Sequence, residues 1–258
     1  AKTLFPYTTL FRSADVCGLS ARFEPISDPA QVLPPGTIGV VDPGGFDVAG
    51  CTFGQASAAS GDAVLGWMER GEALGRQGSL QALVMGPVES ASMKATGRVQ
   101  DIDELQPSGT FMLRMSGKLR VVPLTEHLPL TEAVAAVTPD RVLQVIETAH
   151  ASLRKWGFAK PRIAVAGINP HAMFPQDRER IAPAVEKAQA QGIDASGPLV
   201  PDAVFRQCIE GRWDVVVTMY HDQGLIPIKY LGLDEGVNIT LGLPLVRTSP
   251  DHGTAFDL

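Results

Sequence analysis

The sequence predicts an α/β fold with a largely parallel sheet. Apolar stretches of strand length alternate along the chain with segments of helical spacing, and proline, glycine or capping residues mark the boundaries between them. With 258 residues, 45% hydrophobic and 19% charged, the chain can bury a sizeable core as one large domain or two interlocked lobes.

The predicted strands are 37–41, 82–85, 119–122, 162–166 and 215–219. Thr138, Pro139 and Asp140 read as an N-cap, a first-turn proline and an early acid. Val142, Val145, Ile146, Ala149, Leu153 and Trp156 follow at helical spacing, and Gly157 closes the helix. A second helix is expected from near Pro183 through Val185 and Ala188 to Gly192, since proline is best tolerated in a first turn. A third is expected over 54–77, although Gly61, Gly66 and Gly71 inside it each cost about 1 kcal/mol against alanine. Residues 13–35 are loop-rich and receive no element, and there are no repeats or clear linkers.

The net charge of −6 and the lack of a dense Lys/Arg block exclude an electrostatic footprint for nucleic acid, leaving small molecules as the expected ligands. Cys17, Cys51 and Cys208 are odd in number and unpaired by any CxxC spacing, which fits a reducing, cytoplasmic compartment. No apolar run approaches the roughly 18 residues of a membrane helix, so no membrane partner is expected.

Thr3 to Ser13, TLFPYTTLFRS, resembles the in-frame translation of a sequencing adapter, so residues 1–13 are expected to be non-native and 14–258 to form the domain. A real aromatic N-terminal strand is the alternative. The chain stops just after a motif that ordinarily lies inside a domain, so it is expected to be incomplete at both ends.

Of five histidines, His127, His171 and His221 stand just after predicted strands or at loop starts, where the active sites of α/β folds gather. Each is flanked by proline or glycine. On spacing alone they could be unrelated, ordinarily partnered side chains or ligands of one metal. Lys229 lies eight residues after His221, with Asn238 and Arg247 nine and eighteen beyond it, in a segment otherwise poor in charge. An ammonium, an amide and a guanidinium make a phosphate or carboxylate clamp. The alternative is surface cations paired with Asp234 or Glu235.

The segments EHLPL, GINPHA, MYHDQGLIPIKYLG and GVNITLGLPLVRTSPDHGTAFDL occur in the order found in the 4-hydroxythreonine-4-phosphate dehydrogenase (PdxA) family, and this resemblance covers most of residues 80–258. It implies a two-lobed fold like that of the isocitrate and isopropylmalate dehydrogenases, a homodimer, and a divalent cation held by His127, His171 and His221. Imidazoles suit zinc, cobalt or nickel better than magnesium; manganese is a further option. The resemblance also assigns Lys229, Asn238 and Arg247 to a phosphorylated or carboxylated substrate. Residues 251–257 are similar to the glycine-containing loop that contacts NAD in the wider isocitrate dehydrogenase class, which implies His252, Gly253 and Thr254 as residues for NAD or NADP; a loop without cofactor is the alternative. There is no GxGxxG motif, so a Rossmann site is not expected.

The implied reaction is NAD-linked oxidation, with decarboxylation, of 4-phosphohydroxy-L-threonine, as in pyridoxal phosphate biosynthesis. Four-carbon sugar acid phosphates and dihydrodiol carboxylates are the next candidates, and a non-catalytic metal-binding protein is the competing class. No general base is identified; Asp222 is equally suited to orienting His221. Three departures surround the substrate. Gly97-Arg98-Val99-Gln100 stands where the family carries Gly-His-Thr-Glu, the glycine-rich run after Asn-Pro-His is shortened at Ala172-Met173, and Glu89-Ser90 replaces a segment that usually carries lysine.

Overall fold

The structure is a computed structural model that describes residues 17–20, 22–42, 44–45, 51–52, 54–100 and 102–254; residues 1–13 lie outside these. The chain forms two compact units, Ala1–Leu83 with Val88–Ile102 and Thr254–Leu258, and Val84–Pro87 with Asp103–Gly253.

In the first unit, β1 (Arg22–Pro25) and β2 (Thr37–Val40) pair in parallel, with Arg22 opposite Thr37. The strand β1 falls in the stretch to which the sequence assigns no element. Helix α1 (Ala58–Arg76) starts where the Ser57 side chain accepts from the Ser60 amide, four residues inside the predicted span. Two of its interior glycines have a packing reason. A Cβ on Gly61 would stand 2.1 Å from the Ser92 carbonyl oxygen of α2 (Ser90–Ala95), and one on Gly71 would stand 2.9 Å from Leu83 Cδ1 in β3 (Ala82–Val84). Close approach of neighbouring chain offsets the conformational cost of glycine within a helix.

The second unit runs β4 (Phe111–Ser116), β5 (Leu119–Pro123), α3 (Leu130–Ala135), α4 (Pro139–Lys155), β6 (Ile163–Ala166), α5 (Ala182–Ala190), β7 (Ala195–Leu199), α6 (Pro201–Ile209), β8 (Val215–Thr218), α7 (His221–Leu231), β9 (Val237–Leu241) and β10 (Val246–Pro250). Its strands lie in the order β10-β9-β4-β5-β8-β6-β7. Beyond β10, the chain leaving β3 joins this edge, with the Met85 amide donating to the Thr248 carbonyl at 2.8 Å.

The sheet is mixed, which corrects the expectation of a largely parallel one. Strands β5, β8, β6 and β7 are parallel neighbours, whereas β4 pairs antiparallel with β5 and β9, and β9 with β10. The short turns through Gly117 (φ 54°) and Gly242 (φ 89°) leave no room for the crossover helix that parallel pairing requires.

The two halves of the sheet bury their residues differently. Every residue of β6 and β8 is buried, because helices cover both faces. On one face Leu113, Val122, Ile163, Val165, Val215 and Val217 pack with Val142, Val145, Ile146, Ala149 and Leu153 of α4 and with Val185 of α5. On the other face Val121, Ala164 and Val216 pack with Val204 and Cys208 of α6 and Ile228 of α7. Helix α4 is capped as predicted, with the Thr138 side chain accepting from the Arg141 amide and Gly157 at φ 96° just past its end. A π-helical turn, Asp177–Ile181, leads into α5, so winding begins before the predicted start near Pro183.

Asp214 fixes the entry to β8 against that of β6. Its carboxylate accepts from the Arg162 amide at 2.8 Å, from Nε at 3.1 Å and from Nη2 at 2.8 Å. Burial pushes its pKa up, but the Arg162 hydrogen bonds and charge outweigh that and hold it below the ordinary 3.8. A depressed carboxylate pKa contributes stability that is fully present above the unfolded value and is lost as pH falls through the folded one. Asp214→Asn should therefore cost about 1–3 kcal/mol at neutral pH and flatten the decline in stability below about pH 4, as measured by urea denaturation across pH 3–7. Identical pH profiles for both proteins would show that the bridge contributes nothing.

Candidate active site

The three histidines follow the C-terminal ends of three adjacent parallel strands. His127 lies after β5, His221 opens α7 directly after β8, and His171 sits in the 3₁₀ turn Pro170–Ala172 after β6. The order β5-β8-β6 thus brings segments far apart in sequence to one edge of the sheet, where ligands bind in open α/β folds.

His127 and His221 meet, with ring centroids 5.1 Å apart and planes tilted by 45°. Each gives its Nδ1 to a carboxylate, His127 to Asp103 Oδ1 at 2.6 Å and His221 to Asp222 Oδ1 at 2.7 Å. An ionised carboxylate only accepts, so it holds the proton on Nδ1 and leaves the Nε2 lone pair as the free donor atom. Asp103 also accepts from the His127 backbone amide at 3.1 Å, gripping that residue at two points. The hydrogen bond to Asp103 raises the His127 pKa; burial and Arg114 oppose the rise, while the charges of Asp103 and Glu126 add to it.

This donor set fits a metal-binding role in part. Carboxylate-oriented imidazoles with free Nε2 atoms are the usual surroundings of a histidine-bound cation. Among the described residues, however, no group of three or more His, Cys, Asp or Glu side chains is gathered so as to hold a metal ion, and no hydrogen bond or ring contact joins His171 to the other two. His171 and Ala172 both have left-handed backbones, φ 58° and 53°, a conformation that glycine adopts far more readily. This is where the glycine-rich run is shortened.

Asp177, fully buried, holds that turn in place. Its Oδ1 accepts from the amides of Ile168 at 2.7 Å and Asn169 at 3.3 Å, and its Oδ2 accepts from Asn169 Nδ2 at 3.0 Å and the Phe174 amide at 3.2 Å. Gly167 is needed beside it, since a Cβ there would lie 2.6 Å from Ala172 Cβ.

Two of the anion-clamp residues, Asn238 and Arg247, lie on the antiparallel half of the sheet. Leu113 of β4 pairs with Ile239 of β9, and Phe111 with Leu241, on the face packed against α4. By alternation, Arg114 and its partner Asn238 occupy the opposite face, together with Ser249 of β10, which pairs with Asn238. Arg247 shares that side of β10 and is buried. It therefore does not fit the alternative of a surface cation; its Nη1 donates to the Leu105 carbonyl at 3.4 Å, and its Nε lies 3.2 Å from Met85 Sδ. Lys229, on α7, is exposed and makes no ion pair with Asp234 or Glu235.

Residues 8–258 match the family model described as pyridoxal phosphate biosynthetic protein PdxA. The chain belongs to the PdxA family. It is 43% identical over 235 residues to a D-threonate 4-phosphate dehydrogenase of Cupriavidus necator, covering 86% of this chain and 70% of that protein. It is 44% identical over 216 residues to a 4-hydroxythreonine-4-phosphate dehydrogenase of Beijerinckia indica, covering 80% and 64%. The crystal structure of a 4-hydroxythreonine-4-phosphate dehydrogenase from Klebsiella pneumoniae superposes with a TM-score of 0.83 at 36% identity, covering 96% of this chain and 80% of that one. An isocitrate dehydrogenase from Methylococcus capsulatus, with a TM-score of 0.50 at 15% identity, shares the fold alone. The expected isocitrate dehydrogenase-like α/β fold therefore holds.

The departures from the PdxA motifs have local structural roles. Arg98 pairs with Glu69 and, at 3.5 Å, with Asp62. Glu89 caps α2 through the Ala91 amide, and its second oxygen accepts from the Thr254 hydroxyl at 2.9 Å, so this proposed cofactor residue is engaged within its own unit. His252 Nδ1 lies 3.0 Å from the Gly253 carbonyl oxygen.

The sequence reading missed Asp103, Arg114, Glu126 and Asp177. Arg114 had a signal, a lone cation inside the apolar strand FMLRMS; Asp103 had none. Asp177→Ala would leave the amides of Ile168, Asn169 and Phe174 without their acceptor. It should cost on the order of 3 kcal/mol and speed amide exchange across 167–174. Urea denaturation with hydrogen exchange tests this, and unchanged protection of that turn would show that Asp177 does not hold it.

Proposed function

We propose that the chain is a metal-assisted, NAD-linked dehydrogenase that oxidises a CH–OH group of a small phosphorylated hydroxy acid, 4-phosphohydroxythreonine or D-threonate 4-phosphate, and that it works as a homodimer. The observation that carries this reading is the His127–His221 pair, each imidazole held by a carboxylate at the C-terminal edge of the parallel strands. The dehydrogenase names of relatives above 40% identity support it.

His127 and His221 would hold a divalent cation through Nε2, with His171 as the third ligand that the family resemblance implies. When bound, the cation supplies Lewis acidity that lowers the pKa of a substrate hydroxyl, and NAD, at the loop of His252, Gly253 and Thr254, supplies the hydride acceptor. Asp103 and Asp222 would hold both neutral rings in the Nδ1–H tautomer, so that Nε2 is the atom each presents to a cation. Lys229 and Arg247 would bind the anionic end of the substrate, and Asn238, which the resemblance assigns to the substrate with them, would meet it beside that end. Arginine in a buried strand position suits this role because its planar donors match phosphate oxygens and its charge is not titrated away.

Elemental analysis should find about one divalent metal per chain, lost in His127→Ala, His171→Ala and His221→Ala. Metal retained in all three would remove the basis of the mechanism. Arg247→Met should raise KM for the phosphorylated acid by about tenfold or more with a smaller change in kcat. A drop confined to kcat would place Arg247 outside ground-state binding.

A further inference from the structure

Among the described residues, three buried polar atoms on and beside the antiparallel half of the sheet make no hydrogen bond to another protein group. Arg114 is only 6% exposed, and its Nη1 donates to Glu126 Oε1 at 2.6 Å, forming an ion pair whose side chains are 7% and 13% exposed. Arg114 Nε, Glu126 Oε2 and Asn238 Oδ1 are nevertheless buried without a protein partner among the described residues. The orientation of the Asn238 amide is set by its other end, which donates to the Pro250 carbonyl at 3.1 Å, a group that can only accept. Arg114 and Asn238 are cross-strand partners, and Glu126 immediately precedes His127. A buried ion pair is already costly to desolvate, and atoms left unbonded around it add to that cost.

We propose that Arg114, Glu126 and Asn238 form a hydroxyl-reading element that selects a polyhydroxy acid phosphate over the corresponding amino acid phosphate. This rests on the dehydrogenase reading above. The unspent set contains one N–H donor and two oxygen acceptors. Phosphate and carboxylate groups offer only acceptors, so they match Arg114 Nε alone. An ammonium offers only donors and would meet the guanidinium as a like charge. A hydroxyl both accepts and donates, and it is neutral beside an ion pair that is itself neutral overall. D-Threonate 4-phosphate and 4-phosphohydroxythreonine differ in this respect, carrying a hydroxyl and an ammonium respectively on the carbon next to the carboxylate. The element lies between the residues assigned to the metal and those assigned to the anion, through Glu126 at His127 and Asn238 in the clamp.

The test compares the two acids by isothermal titration and by NAD reduction, on the wild type, on an Arg114→Met/Glu126→Met double variant that leaves neither charge buried alone, and on Arg114→Lys, which keeps the charge and removes Nε–H. The wild type should favour D-threonate 4-phosphate by about tenfold or more in affinity and in kcat/KM. Both variants should reduce that preference to about twofold or less, chiefly by weakening hydroxy acid binding. A wild type that prefers the amino acid overturns the proposal. So does a double variant, or Arg114→Lys if the double variant does not fold, that keeps the preference while losing only thermal stability; the element is then an ion pair with an internal water. If neither acid is oxidised, the dehydrogenase reading fails, while the titrations still decide selectivity.

Discussion

Burial of β8 between β5 and β6, with helices on both faces, is the constraint on which the site depends. Strands covered on both sides are predominantly apolar, and Val215–Thr218 and Ile163–Ala166 are buried at every residue, with Thr218 at the end of β8 their one polar side chain. Parallel pairing then places all three C-terminal ends on one edge. Charged and imidazole side chains are disfavoured within such strands and stand just beyond them, where His127 and His221 meet although 94 residues separate them. The packing of α7 tightens the arrangement. A Cβ on Gly224 would stand 2.5 Å from Val121 Cγ1 and 2.7 Å from Thr218 Oγ1, so glycine lets the helix that His221 opens lie directly on β5 and β8.

The antiparallel half solves a different problem. Its strands alternate, with Phe111, Leu113, Ile239 and Leu241 packed toward α4 while Arg114 and Asn238 face the other way. Alternation gives a rigid scaffold a polar face without interrupting its core. The proposed metal residues stand just past the C-terminal ends of parallel strands, and two residues of the proposed anion clamp stand on antiparallel strands. Joining the two halves through β5 therefore brings two kinds of chemistry into one unit.

What the sequence disclosed follows the same division. Strands β2, β3, β5, β6 and β8 were legible as apolar runs, and α4 was legible from its cap, spacing and closing glycine. Strands β9 and β10 were not placed, because their alternation is short and their polar positions read as site residues instead. Helix α7 was hidden by Gly224 and Pro227, two residues that argue against a helix in isolation and are accepted here because packing outweighs propensity. Histidine positions could be read from their flanks, but their carboxylate partners could not. Asp222 is adjacent in the chain, whereas Asp103 reaches His127 across 24 residues, a distance only the fold closes.

The same contrast bears on how the two imidazoles are held. His221 takes its carboxylate from the next residue, on the first turn of a helix anchored to the sheet, so its tautomer is set locally wherever α7 forms. His127 sits on the loop after β5 and depends on tertiary contacts. Asp103 grips both its amide and its ring, and the residue before it is tied to β4 through Arg114. A loop residue held by two long-range bonds, with a third on the residue before it, is ordered only when the second unit has folded around it. The Arg114–Glu126 pair thus joins the antiparallel half of the sheet to the imidazole at the end of the parallel half, and a change at Arg114 would be felt at both.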